Sequence, residues 1–214
     1  MGVHAKICGL NTPDVVDAAI AGGADAVGFV FYPPSPRAVS PETAAVLAGH
    51  AGTALKVGLF VDPDDALLDR VLGALDLDIV QLHGSESPER VREIEALTGR
   101  PAMKAIKIAG PEDLGVVRDY DDAASWLLFD ARPPKDRANA LPGGNGVSFD
   151  WRLLAGRRWS KPWMLSGGLD ATNVAEAVRI SGAPWVDVSS GVETKPGEKS
   201  PALIARFLNA VQAI

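Results

Sequence analysis

Lys6 and Cys8 stand two residues apart in Lys6-Ile7-Cys8-Gly9. In an extended segment that spacing puts both side chains on one face, where an ammonium favours the ionised form of a neighbouring thiol. Cys8 is the single cysteine, so neither an intramolecular disulfide nor a thiolate cluster is available to it. Two readings stay open: a small buried hydrophobe, or a base. Asp130 closes the apolar run Trp126-Leu127-Leu128-Phe129, an expensive place for an unpaired carboxylate. It either caps backbone N–H groups of the loop that follows or serves as a proton donor. One acid and one base across an anchored sugar phosphate is the arrangement an isomerase requires.

Arg37 ends the segment Pro33-Pro34-Ser35-Pro36-Arg37. The prolines stiffen this loop, so the guanidinium is either a solvated surface group or a fork for a substrate carboxylate. Gln81 and His83 alternate onto one face of Val80-Gln81-Leu82-His83-Gly84. His83 reads equally as a satisfied histidine or as a ligand contact. No second histidine or carboxylate stands at metal-ligand spacing from it, so no metal centre is expected. Two turns are punctuated by glycine and serine, Ser166-Gly167-Gly168 and Ser189-Ser190-Gly191. Glycine lets backbone N–H groups approach a ligand closely, and such groups near a helix N-terminus attract phosphate. The plainer alternative is that these residues only permit tight turns.

These residues need elements to hold them, and short apolar runs alternate with amphipathic stretches along the whole chain. The expected strands are Val3–Ile7, Ala26–Phe31, Leu55–Val61, Asp78–Leu82, Met103–Ile108, Ser125–Asp130, Lys161–Leu165 and Trp185–Val188. Helices are expected from Pro13 to about Ala21, near Glu42–Ala48, from Asp64 to about Gly73, and from Ser87 to about Leu97. Further helices are expected after Gly110-Pro111-Glu112, over Ala171–Ile180 and over Pro201–Val211, with a long irregular stretch from Ala131 to Ser148. About eight strand–helix units predict an α/β fold, a single-domain (βα)8 TIM barrel over residues 1–214. In that barrel, active residues sit at the C-terminal strand ends, and a phosphate site follows strands seven and eight. Cys8, Arg37, Gln81, His83, Asp130, Ser166, Ser189 and Ser190 all map to that end. Closure also brings strand one beside strand eight, which makes Asp187 the expected partner of an interior Lys6. An open doubly wound sheet would place G-x-G-x-x-G after the first strand; Cys8-Gly9-Leu10-Asn11 stands there instead.

Among 214 residues, 47% are apolar and 22% charged, which suits one globular core. The net charge of −6 argues against a nucleic-acid or anionic-membrane surface, so an anionic small substrate needs a local cationic or backbone site. No apolar run approaches a membrane span. The first strand begins almost at once, leaving no room for a signal peptide, and a cytoplasmic protein without an obligate protein partner is expected.

The motifs resemble those of the phosphoribosylanthranilate isomerases of tryptophan biosynthesis, nearly end to end. They are K-I-C-G from Lys6, G-F-V-F-Y-P-P-S-P-R from Gly28, V-Q-L-H-G from Val80, and Phe129-Asp130. They continue as G-G-N-G-V-S-F-D-W from Gly143, S-G-G-L from Ser166, and D-V-S-S-G-V-E from Asp187. The resemblance implies Cys8 as general base, Asp130 as general acid, Arg37 on the anthranilate carboxylate, and Gly167-Gly168 with Ser189–Gly191 on the phosphate. It implies an Amadori rearrangement through a Schiff base, which needs neither metal nor organic cofactor. Asn145 stands where that family more often has threonine, and Phe129-Asp130-Ala131 where Leu-Asp-Ser/Thr is commoner. Two other functions remain to be weighed. A histidine-pathway aminosugar-phosphate isomerase uses a carboxylate at the end of strand one, where this chain has Cys8. A non-catalytic phosphosugar-binding barrel would have no use for Cys8 and Asp130.

Overall fold

The computed structural model describes residues 2–133 and 142–214. Eight strands, β1 (His4–Cys8), β2 (Ala26–Val30), β3 (Leu55–Phe60), β4 (Ile79–Leu82), β5 (Ala102–Ile108), β6 (Trp126–Ala131), β7 (Trp163–Leu165) and β8 (Trp185–Val188), pair in sequence order. All pairs are parallel, and β1 pairs with β8 to close the barrel. This is the expected (βα)8 architecture. Alternation along each strand divides the core in two. Residues such as Ala5, Ile7, Phe29, Leu82, Ile106 and Phe129 pack outward against the helices. Ala26, Val57, Ile79, Met103, Leu128 and Met164 form the second cluster, inside the barrel. Cys8 and Asp130 are the inward residues one step above that inner layer on their strands, so the pleat aims both at the C-terminal mouth.

The helices are α1 (Pro13–Ala21), α2 (Pro41–Ala48), α3 (Asp65–Ala74), α4 (Pro88–Thr98), α5 (Val174–Ser181) and α6 (Pro201–Gln212). Ser40, Asp64, Ser87 and Ser200 each accept a hydrogen bond from a first-turn N–H of the helix they precede. Four helices also carry proline in the first turn, where its missing N–H costs nothing. Gly99 and Gly182 end α4 and α5 in the left-handed conformation.

The structure departs from the sequence expectation in four places. The fifth helix is a 3-10 helix, Pro111–Tyr120. Its Asp113 carboxylate turns back onto the N–H groups of Ala109 and Gly110, and Gly115 weakens the following turn. After the irregular stretch that follows β6, the described residues carry a short 3-10 turn, Trp151–Leu153, where no helix was expected. The helix expected over Ala171–Ile180, α5, starts at Val174, because the Asp170 side chain holds the N–H groups of Thr172 and Asn173 in a local turn. Beyond β8 lies a small antiparallel hairpin, β9 (Glu193–Lys195) and β10 (Glu198–Lys199). Its turn, Lys195-Pro196-Gly197-Glu198, places Gly197 at φ +83°, a left-handed position that suits glycine after proline. The irregular stretch Ala131–Ser148 lies partly outside the described residues.

Candidate active site

The barrel mouth opens into one cleft holding roughly 770 Å³ of empty space, its opening to solvent included. Cys8, Arg37, Gln81, His83, Asp130, Gly167, Gly168, Ser189 and Ser190 all line it, as do Ser166 and Asp187. Gly191, expected with them, does not. It packs on the turn after β7, where an added Cβ would fall 1.9 Å from the Leu169 carbonyl oxygen.

Lys6 lies beneath the cleft floor, wholly buried, with its ammonium 2.8 Å from Asp187 across the β1–β8 seam. Ser166 donates to the second carboxylate oxygen of Asp187 at 3.1 Å. Burial alone would lower the Lys6 pKa, but Asp187, with Cys8 adding to it, more than offsets that, so Lys6 is held above the ordinary lysine value. The expectation for Cys8 needs revising. Burial pushes its thiol above the ordinary value, and Asp187 works in the same direction. Lys6 and Lys199 pull it down without overcoming burial. Gly28, opposite Cys8 in the register, makes the space. A Cβ there would lie 3.0 Å from Cys8 Sγ and 3.2 Å from Lys6 Nζ.

Asp130 is 4% exposed and held at both oxygens. Oδ1 accepts from the Ala131 N–H at 2.9 Å, and Oδ2 lies 3.0 Å from His83 Nε2. His83 Nδ1 in turn lies 3.0 Å from the Gln81 amide nitrogen, leaving Gln81 Oε1 buried without a partner among the described residues. Gln81, His83 and Asp130 therefore form one file, in which the imidazole spaces the amide from the carboxyl.

Arg37 is nearly as buried, and its fork is engaged within the protein. Nε and Nη2 each donate to Glu193 at 2.8 Å, and Nη2 also reaches the Gly144 carbonyl at 3.2 Å. Only the Nη1 edge makes no hydrogen bond to a described residue. Glu193 also accepts from Lys199 at 2.8 Å, and Lys199 reaches the Ser189 carbonyl and hydroxyl at 2.8 and 3.0 Å. Burial would raise the Glu193 pKa, but Arg37 and Lys199 outweigh it and hold the carboxyl below the ordinary glutamate value. Burial lowers Lys199 below the ordinary lysine value, with Arg37 adding to it and Glu193 opposing. Sequence reasoning assigned no role to Glu193, Lys199 or Gly28. The Pro196-Gly197 turn signal was the available clue to the hairpin that carries Glu193 and Lys199.

The turn after β7 is shaped by loop packing as well as by the cleft. Gly168 has φ +63°, and a Cβ there would meet the Ser148 nitrogen and the Val147 carbonyl carbon at 2.8 Å. A side chain at this position would therefore displace the loop after β6, whatever it did to a ligand. Among the described residues, no group of three or more His, Cys, Asp or Glu side chains is arranged to hold a metal ion. No helix among them is long and apolar enough to cross a membrane.

Residues 5–210 match the family model described as N-(5'phosphoribosyl)anthranilate (PRA) isomerase. The chain belongs to this family. A PRA isomerase of Rhodospirillum centenum is 59% identical over the full length of both chains. The crystal structure of the Thermotoga maritima PRA isomerase superposes with a TM-score of 0.87 at 33% identity, covering 99% of this chain and 100% of that one. A further PRA isomerase structure contains reduced 1-(o-carboxyphenylamino)-1-deoxyribulose 5-phosphate; it is 32% identical, with a TM-score of 0.84, and 99% and 100% of the two chains are covered. The PRA isomerase match spans every cleft residue named above, together with Glu193 and Lys199.

Proposed function

We infer that this chain is an N-(5'-phosphoribosyl)anthranilate isomerase, acting by general acid–base catalysis without a cofactor. The carrying observation is that Cys8 and Asp130, a base type and an acid type from β1 and β6, face one cleft in a chain of this family. In the proposed reaction Asp130 gives a proton to the furanose ring oxygen, the C1′–O bond breaks, and a Schiff base forms. The Cys8 thiolate then takes the C2′ proton, which the iminium carbon beside it has made acidic. The resulting enolamine gains a proton at C1′ as its C2′ hydroxyl gives one up, and becomes the aminoketose. His83, backed by Gln81, holds the carboxyl of Asp130 toward the substrate. Gly167, Gly168, Ser189 and Ser190 are proposed to bind the phosphate, with Gly191 shaping their turn. Holding the substrate at both ends aligns the ribose between acid and base. The substrate is thus a phosphorylated small molecule. Action in the cytoplasm, as one domain and without an obligate protein partner or nucleic acid, completes the proposal.

The test is loss of anthranilate fluorescence when purified protein meets freshly prepared substrate. No change at any enzyme concentration removes the assignment, and turnover of a histidine-pathway aminosugar phosphate instead would replace it.

The aglycone carboxylate is assigned to the Nη1 edge of Arg37. Arg37→Ala should then cost on the order of 2–4 kcal/mol in kcat/KM on the carboxylate-bearing substrate. Part of that loss reflects Glu193 left with Lys199 alone, so the comparison that decides is with an analogue lacking the carboxylate. The loss should shrink there. Equal losses on both would reduce Arg37 to ordering its loop.

A further inference from the structure

Four residues connect the two sides of the cleft through buried, charge-assisted hydrogen bonds. Arg37, from the loop after β2, clasps Glu193 with Nε and Nη2 at 2.8 Å each. Lys199 donates to the same Glu193 at 2.8 Å and continues to the carbonyl and hydroxyl of Ser189, in the turn after β8. The Lys199 side chain is fully buried and that of Glu193 is 3% exposed, so solvent does not screen the chain. The hairpin carrying both is itself seated on the neighbouring loops. Asn11 donates to the Gly197 carbonyl at 2.9 Å, and Gly197 lies so close to Pro36 that a Cβ would come within 2.5 Å of its carbonyl oxygen.

A planar guanidinium held at two nitrogens by one carboxylate has little freedom to turn. Glu193 thus fixes which edge of Arg37 faces the cleft. Lys199 in turn fixes Glu193, because it shares the oxygen that accepts from Nε. The same ammonium donates to both the carbonyl and the hydroxyl of Ser189, whose carbonyl also accepts from the Val192 N–H at 3.3 Å. A shift of the Ser189 turn therefore moves Lys199, and with it the seat of Arg37.

We propose that Glu193 and Lys199 are positioning residues that couple recognition of the substrate's two ends, so that ordering the phosphate-side turn orients Arg37 and occupying Arg37 steadies that turn. The proposal rests on the assignment of the phosphate to the Ser189 turn and of the aglycone carboxylate to Arg37. Arg37 and Lys199 share no hydrogen bond, so beyond the direct repulsion of the two cations the coupling between them passes through Glu193. By linkage, the coupling is the same whichever end binds first.

The test is a double-mutant cycle on the full chain, with kcat and KM measured for Arg37→Ala, Lys199→Met and the double variant. Lys199→Met should raise KM at least about fivefold while kcat stays within about threefold. Added to Arg37→Ala, it should cost less than about twofold more, because the residue it orients is already gone. Its KM penalty should also shrink for the analogue lacking the carboxylate. Lys199→Arg, which keeps the charge, should recover part of the loss. If Lys199→Met does not fold, Glu193→Gln takes its place in the cycle with the same expectations, since it preserves shape and one acceptor oxygen. Losses that multiply, or an unchanged KM in the single variant, overturn the coupling. Wild-type protein that fails to consume the substrate overturns the functional reading itself; turnover with multiplicative losses removes only the coupling.

Discussion

Cys8→Ala should lower kcat by about a thousandfold, within the range a positioned general base contributes, while a product analogue still binds within about threefold of wild type. The phosphate-side turns and Arg37 are untouched by the change, and Gly28 already leaves the pocket beside Sγ open, so alanine introduces no clash. The pH behaviour follows from the direction of the thiol shift. Burial raises the Cys8 pKa, so the reactive thiolate is a minority at neutral pH and its share grows as pH rises. Alkylation of Cys8 by iodoacetamide should accordingly be slower at pH 7 than that of a free thiol, with a midpoint above the ordinary value of about 8.5. In the proposed mechanism catalysis needs the thiolate together with a protonated Asp130, so kcat/KM should be bell-shaped. Wild-type kcat in Cys8→Ala means the base has been misassigned; His83, or a water held by it, is then the next to test.

Asp130→Asn should produce a loss of the same order, about a thousandfold in kcat, because the amide keeps the shape but has no acidic proton to give. The environment argues that the fold tolerates it, since asparagine can still accept from the Ala131 N–H and meet His83 Nε2. Removing a negative charge from the cleft should leave binding of the phosphorylated product analogue unchanged or tighter. Titration of that analogue beside turnover separates the two effects. Weakened analogue binding together with a near-normal kcat would make Asp130 a binding group instead of the acid.

The barrel was legible because its signals are local and repeated. Each inner or outer face is written by alternation, and the starts of α2, α4 and α6 by Ser-Pro, of α1 by Thr-Pro and of α3 by Asp64. Cys8, Arg37, His83 and Asp130 were legible because in this architecture the end of a strand is also the mouth of the cleft. Position along the chain then becomes position in the site. Lys6 and Asp187 followed from closure alone. The network around Arg37 was not legible in this way. A run such as Glu193-Thr194-Lys195-Pro196-Gly197-Glu198-Lys199 has the composition of a solvated surface turn, and nothing within it distinguishes the buried Lys199 from the exposed Lys195. The hairpin that carries it is seated on Asn11 and Pro36, contributed by loops far away in sequence. The net thiol shift was not legible for a related reason. The spacing of Lys6 and Cys8 puts a charge beside sulfur, and that charge does pull the thiol down, but burial outweighs it, with Asp187 from the far end of the chain adding to burial.

The Lys6–Asp187 bond joins residues 181 positions apart. While the chain is being made, β1 emerges before the other barrel strands and β8 after them, so Lys6 waits for its counter-charge until every other strand of the barrel has been made. Until then its ammonium has no reason to leave water, and the strand that carries Cys8 has no second neighbour to complete its edge. Burial of the lysine and closure of the seam are therefore one event, requiring both β1 and β8. A chain interrupted before β8 would expose a charged, unpaired strand edge rather than a nearly finished barrel. The pocket around Cys8 then exists in whole molecules and not in growing ones.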